Sequence, residues 1–245
     1  MHAYADDVQL YISRPPGLIE DLCACLNEDL ANICKWADMN GLHLNPHKST
    51  VMPIYHSQFD TDDIPSISVG SCNLSIVHKI KSLGIIMNSK LDAVDHINYV
   101  ISKIYFVLRN LRFSSDCIPQ DTKIKLVKQL ILPFIDYFAN VYCSLDSSSY
   151  HKLNVALNNC TRYVYGLRRF DHIAGRTKNL LGCDLVNYLK VRNCVLLHKI
   201  IMTNQPSYLF EKLQFCRSTR NMNLVMPLRQ VLTFKKIFFR FFFLA

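Results

Sequence analysis

The stretch His2-Ala-Tyr-Ala-Asp-Asp-Val-Gln-Leu-Tyr-Ile-Ser13 decides how the chain is read. Val8, Leu10 and Ile12 alternate with Gln9, Tyr11 and Ser13, the period of two expected of a half-buried strand. The pattern predicts a hairpin with Asp6 and Asp7 at its turn. Adjacent carboxylates repel one another, so the pair needs either a cation or a solvated tip. Hard divalent cations such as Mg²⁺ take oxygen ligands and bridge phosphates, which suits the first reading. An ordinary solvated Asp-Asp turn is the second.

Working outward, Pro15-Pro16-Gly17 breaks the strand. Ile19, Leu22, Leu26, Leu30, Ile33 and Trp36-Ala37 then recur every three or four residues, the spacing of an amphipathic helix with Trp36 in its core face. Asn40-Gly41 is a helix C-terminus signal. His43 and His47 stand four apart, but Pro46 between them forbids a regular helix, so no metal pair is expected there. A strand over 51–55 follows. Next comes a polar loop over 58–66, in which Asp60, Asp62 and Asp63 read as solvated. A hairpin over 67–76 precedes a strand running on to Asn88, with Gly84 at a bulge.

From Asp92 the pattern changes to helices. Asp92 is a candidate N-cap for a helix over 93–113 carrying Val94, Ile97, Ile101, Ile104, Leu108 and Leu111 on one face. A second helix is expected from Ile118-Pro119-Gln120 towards Leu145, kinked at Pro133, and a third over 147–165, ending at Gly166. Arg162, Arg168 and Arg169 add positive charge near that end, where cations suit the helix dipole. A further helix is expected over 188–202. The terminal run Phe234-Lys-Lys-Ile-Phe-Phe-Arg-Phe-Phe-Phe-Leu-Ala245 is too short and too charged to cross a bilayer and reads as an irregular tail.

Charge is divided in the same way. Residues 1–98 carry 6 Lys+Arg against 12 Asp+Glu, a net of −6, while residues 99–245 carry 22 against 7, a net of +15. A basic back half suits a polyanion, or is simply solvated surface. The ten cysteines show no zinc or disulfide spacing, and Asp6 and Asp7 fall where a signal peptide needs apolar residues. Reduced thiols in an intracellular compartment, cytoplasmic or nuclear, are expected, with no membrane partner. The fold class is α+β, divided as 1–91 and 92–245.

Tyr4-Ala5-Asp6-Asp7 followed by an alternating strand resembles the catalytic signature of reverse transcriptases, and the flanking His2-Ala3 and Gln9-Leu10-Tyr11 resemble the non-LTR, LINE-type (jockey-like) retrotransposon branch. Trp36, Gly41, Leu42, Leu44, Asn45, Lys48 and Ser49 follow in the order of that family's next motif. Leu83-Gly84-Ile85 resembles its primer grip, His96-Ile97 its thumb entry, and Leu132-Pro133-x-x-x-Tyr137 a thumb helix. The ordered similarity runs from Tyr4 to about Pro227.

The resemblance implies part of a palm, made of antiparallel strands and one amphipathic helix, followed by an all-α thumb-like bundle. It implies Mg²⁺ held by Asp6 and Asp7, and Lys48 near the incoming nucleotide's phosphates, where a cation or proton donor favours pyrophosphate departure. It also implies an RNA template and DNA primer contacted by Tyr4, Leu83, Gly84, Lys123, Lys125, Arg168 and Arg169. The family's metals need a third Asp from an earlier palm strand, which has no counterpart here. The expectation is therefore an RNA-directed DNA polymerase fragment, inactive unless joined to an N-terminal half, with an exposed sheet edge beside its hairpin. Two other readings stand beside it: a non-catalytic basic module that binds nucleic acid, and a folded remnant whose charges serve only solvation.

Overall fold

The computed structural model describes residues 2–5, 7–55, 64–142, 145–217, 222–225 and 237–244. The fold is α+β, in two compact units: Met1–Asp92 with Leu232–Ala245, and Ala93–Val231.

The first unit opens with β1 (His2–Tyr4) and β2 (Asp7–Arg14), an antiparallel hairpin in which Tyr4 faces Asp7. That register makes the turn a two-residue one, and Ala5 enters it with φ +48°, the backbone twist such tight turns use. Helix α1 (Ile19–Met39) follows, with Leu22, Cys23, Leu26 and Leu30 buried along one stripe and Glu20 and Asp21 in its first turn, where acids suit the helix dipole. Its end is a Schellman motif: Gly41 at φ +70° donates its N–H to Asp38 and Leu42 donates to Ala37. Burying each of these leucines stabilises the unit by about 2 kcal/mol.

Strand β3 (Thr50–Ile54) is buried on both faces. Val51 joins Leu10, Leu26 and Leu30 against α1, while Met52 and Ile54 turn to the other face and pack with Val77, Ile80 and Met87. Period-two alternation in a sheet covered on both sides gives this split. Short strands β4 (Ser68–Val69) and β5 (Cys72–Asn73) form a hairpin, and β6 (Ser75–Ile76) pairs parallel to β3.

Residues 79–88 are a hairpin rather than one continuous strand. β7 (Lys79–Ser82) and β8 (Ile85–Asn88) pair across Leu83 and Gly84, which both take positive φ, +47° and +80°. Two successive left-handed residues make the turn type whose twist matches paired strands. Glycine adopts it freely, but Leu83 does so against its side chain, which hid the turn from sequence.

In the second unit, α2 spans Val94–Phe113, α3 Gln120–Leu130, α4 Leu132–Asp136 and α5 Ser147–Tyr165. α6 (Ala174–Leu181), α7 (Leu185–Thr203) and the short α8 (Ser207–Phe210) follow, with β9 (Gln214–Arg217) and β10 (Met222–Val225) paired antiparallel. Ile97, Ile104 and Leu108 of α2 meet Val127, Ile135, Leu153, Leu157 and Val164 in one core. Ala93 holds the N-cap position of α2, one residue after the expected Asp92, and the Asp92 carboxylate accepts from Asn88 Nδ2 at 2.9 Å. The helix expected over 120–145 breaks at Ile131, because Pro133 has no N–H to continue the ladder. Asp146 caps α5 by accepting from the N–H groups of Ser148 and Ser149, and the Ser149 hydroxyl together with these N–H groups holds its carboxyl below the usual range. Gly166 closes the helix at φ +63°.

The C-terminal run is not an irregular tail. Ile237–Leu244 forms β11, which lies between β2 and β3 and is antiparallel to both. Along β2 the register runs from Ile237 opposite Arg14 to Leu244 opposite Asp7; along β3 it runs from Phe238 opposite Ile54 to Phe242 opposite Thr50. The expected exposed edge of β2 is therefore paired. β2, α1 and β3 make a split β-α-β unit, and β11 fills its gap. An apolar, aromatic-rich run suits a strand with neighbours on both sides. Among the described residues, no helix is long and apolar enough to cross a membrane.

Candidate functional site

In the first unit the expected site residues gather at one end of the β1–β2 hairpin. Tyr4 is 69% exposed at the end of β1, and Asp7 is half-buried at the start of β2. Asp6 lies outside the described residues, as do Asp60, Asp62 and Asp63 of the expected acidic loop. Two residues past Asp7, Gln9 turns to the face opposite α1 and donates Nε2 to Ser82 Oγ at 2.7 Å. Both residues are buried, so this bond fixes the end of β7, and hence the Leu83-Gly84 turn, against the strand that carries Asp7. Tyr4, Asp7, Leu83 and Gly84 are thus held by one interlocked pair of hairpins.

Lys48 is positioned by local chemistry. Asn45 Oδ1 accepts from the N–H of His47 (3.1 Å) and of Lys48 (3.3 Å), and the Asn45 carbonyl accepts from Ser49 N (3.1 Å) and Ser49 Oγ (2.8 Å). Asn45-Pro46 thereby folds a turn that leads into β3 with Lys48 exposed. Among the described residues Lys48 makes no ion pair with Asp7. His43 lies at the surface, 3.5 Å from Asp38.

Mg²⁺ requires several oxygen ligands in near-octahedral array. Among the described residues, no three His, Cys, Asp or Glu side chains lie together. Asp7 and its described neighbours do not by themselves build such a centre. Beneath the hairpin, a cavity of about 790 Å³ is lined by Ala3, Val8, Leu10, Ile33 and Trp36, with Asp29 at its polar side. Trp36 is 60% exposed, so it borders this cavity instead of joining the core.

The second unit carries a basic cleft. A cavity of about 770 Å³ is lined by Arg112 of α2, Asn159 and Arg162 of α5, and Arg169 and Phe170 of the segment that follows. Tyr163 also lines it, and Lys123 Nζ lies 5.5 Å from that ring's centre. The structure thus brings Lys123 and Arg169 to one region. Arg168 is exposed, with its backbone N–H donated to Asp171 at 2.7 Å, and Lys125 is exposed on α3. The sequence reading missed Arg112 and Phe170. The signal was an arginine in the last turn of each of two helices, but only packing α2 on α5 shows that those turns meet.

Burial shifts two titratable groups in the core of this unit. Cys160, in the core between these helices, has its thiol pushed up to about 12 by burial. His96 is buried beside Phe138, ring centres 5.0 Å apart, and burial holds its pKa down. Compared with family models, curated proteins and solved structures, the chain matches none of them.

Proposed function

We propose that the chain is a palm-and-thumb portion of a non-LTR retrotransposon reverse transcriptase, in which the first unit supplies the Asp6-Asp7 turn and the second holds nucleic acid by its backbone. The observation that carries this reading is the Gln9–Ser82 bond. It joins the turn that resembles the catalytic signature to the turn that resembles the primer grip, two stretches 73 residues apart. A polymerase needs these elements adjacent, since one acts on the primer's end and the other holds it. The net charge of +15 over residues 99–245 supplies the phosphate-binding surface. The described carboxylates do not complete a two-metal centre, so the chain alone binds nucleic acid without extending it.

Primer extension on poly(rA)/oligo(dT) with Mg²⁺, run beside an Asp6→Asn/Asp7→Asn variant, tests the catalytic part. Extension by the wild type alone would overturn the expectation of inactivity. Hybrid binding at 50 and 200 mM salt tests the rest: a steep loss of affinity supports the nucleic-acid reading, and no binding at either salt favours the folded remnant.

A further inference from the structure

We propose that the cleft between the C-terminal ends of α2 and α5 binds one nucleotide unit of a single-stranded nucleic acid, its phosphate held by Arg112, Arg162 and Arg169 and its base stacked on Phe170. This rests on the nucleic-acid reading above and gives it an address. Three features carry it.

The first is charge. Three arginines line one cavity of about 770 Å³ with no Asp or Glu among its lining residues, and among the described residues none of the three pairs with a carboxylate. Guanidinium groups match phosphate oxygens in a planar, two-pronged geometry. The bland alternative is that Arg112 and Arg162 merely offset the partial negative ends of their helices. Each helix end amounts to only about half a charge, however, so an excess of positive charge remains. At the α5 end the Arg162 carbonyl already accepts from Gly166 and Leu167.

The second is an unused donor. Arg162 donates Nη2 to the Arg169 carbonyl at 3.0 Å, which ties the following segment to the helix, yet its Nε is buried with no hydrogen-bond partner. Buried donors are normally paired, so an acceptor is wanted at this point.

The third is an aromatic platform. Phe170 is 90% exposed, and the Arg169 guanidinium stands 5.8 Å from its ring centre. A bare phenylalanine beside cations is the arrangement that stacks unpaired bases while the phosphates meet arginine. A duplex hides its base faces, which points to a single strand. Asn158 and Asn159 line the same cavity and offer hydrogen bonds to a base edge or sugar.

Fluorescence anisotropy with labelled rU12, a 12-base-pair duplex, and unlabelled UMP as competitor tests this on the full chain. Phe170→Ala should weaken rU12 binding about tenfold and leave duplex binding unchanged. Arg112→Ala/Arg169→Ala should lower the salt slope for rU12 by about 0.7 per arginine. Competition by UMP would assign the site to free nucleotides as well as strands; its absence would restrict it to strands. Far-UV circular dichroism checks that each variant is folded. Wild-type rU12 affinity and salt slope in both variants would overturn the cleft while leaving nucleic-acid binding elsewhere intact. No binding of rU12 or duplex by the wild type would overturn the broader reading and this one together.

Discussion

Gln9 and Ser82, 6% and 7% exposed, meet at 2.7 Å from hairpins on opposite sides of a helix and four further strands in sequence. Ser82→Ala removes the acceptor and leaves a buried amide N–H short of one partner, at a cost of about 1–3 kcal/mol. Urea unfolding followed by circular dichroism should show the midpoint fall with an unchanged slope. A change below a few tenths of a kcal/mol would mean that Gln9 finds another acceptor at no cost.

Asp136 at the end of α4 accepts from Tyr188 Oη and from Arg192 Nη2, both at 2.6 Å, and Arg192 also donates to Tyr188 at 2.8 Å. The three side chains tie α4 to α7 through partly buried polar contacts. Asp136→Ala leaves a cation and a hydroxyl without their acceptor and should cost about 1 kcal/mol, partial solvent exposure keeping it from being larger. Asp136→Asn keeps one acceptor and should lose less. Equal losses would show that the charge, not the geometry, matters.

His96 contributes to the pH dependence of the helical unit. Burial lowers its pKa from 6.5, so the folded unit resists a proton that the unfolded chain accepts. Stability is therefore full above about pH 6.5 and declines as pH falls below it. His96→Phe, in contact with Phe138, should flatten the stability profile between pH 6.5 and 5. An unchanged profile would assign the slope to other groups.

A chain ending at Val231 lacks the strand that lies between β2 and β3. Both would then present unpaired backbone donors and acceptors, a template for pairing with another molecule. Sedimentation velocity should show concentration-dependent association of the shortened chain and none of the full one. A monodisperse shortened chain would mean that β2 and β3 close on each other.

Local signals were read where the chemistry is local. α5 is framed by Asp146 at one end and Gly166 at the other, and α1 by its apolar stripe and Gly41. The acidic hairpin followed from simple alternation. The readings that failed needed information from elsewhere in the fold. Leu83 accepts a backbone conformation that leucine avoids, so no turn was visible between β7 and β8. Asp92 has the chemistry of an N-cap, but the helix begins one residue further on, with Ala93 at that position. Trp36 has helical spacing but borders a cavity. The Phe-rich run becomes a strand only because β2 and β3 leave a slot between them, and the basic cleft joins Arg112 to Phe170 across 58 residues that no periodicity connects.

The place of β11 also sets an order of events on the ribosome. β3 ends at Ile54, while the strand that completes its sheet begins at Ile237. At about 5–20 residues per second, roughly 10–40 s separate their synthesis. Throughout that interval the first unit waits unfinished while the helices of the second, built from local contacts, can fold. The N-terminal part of this protein is made first and finished last.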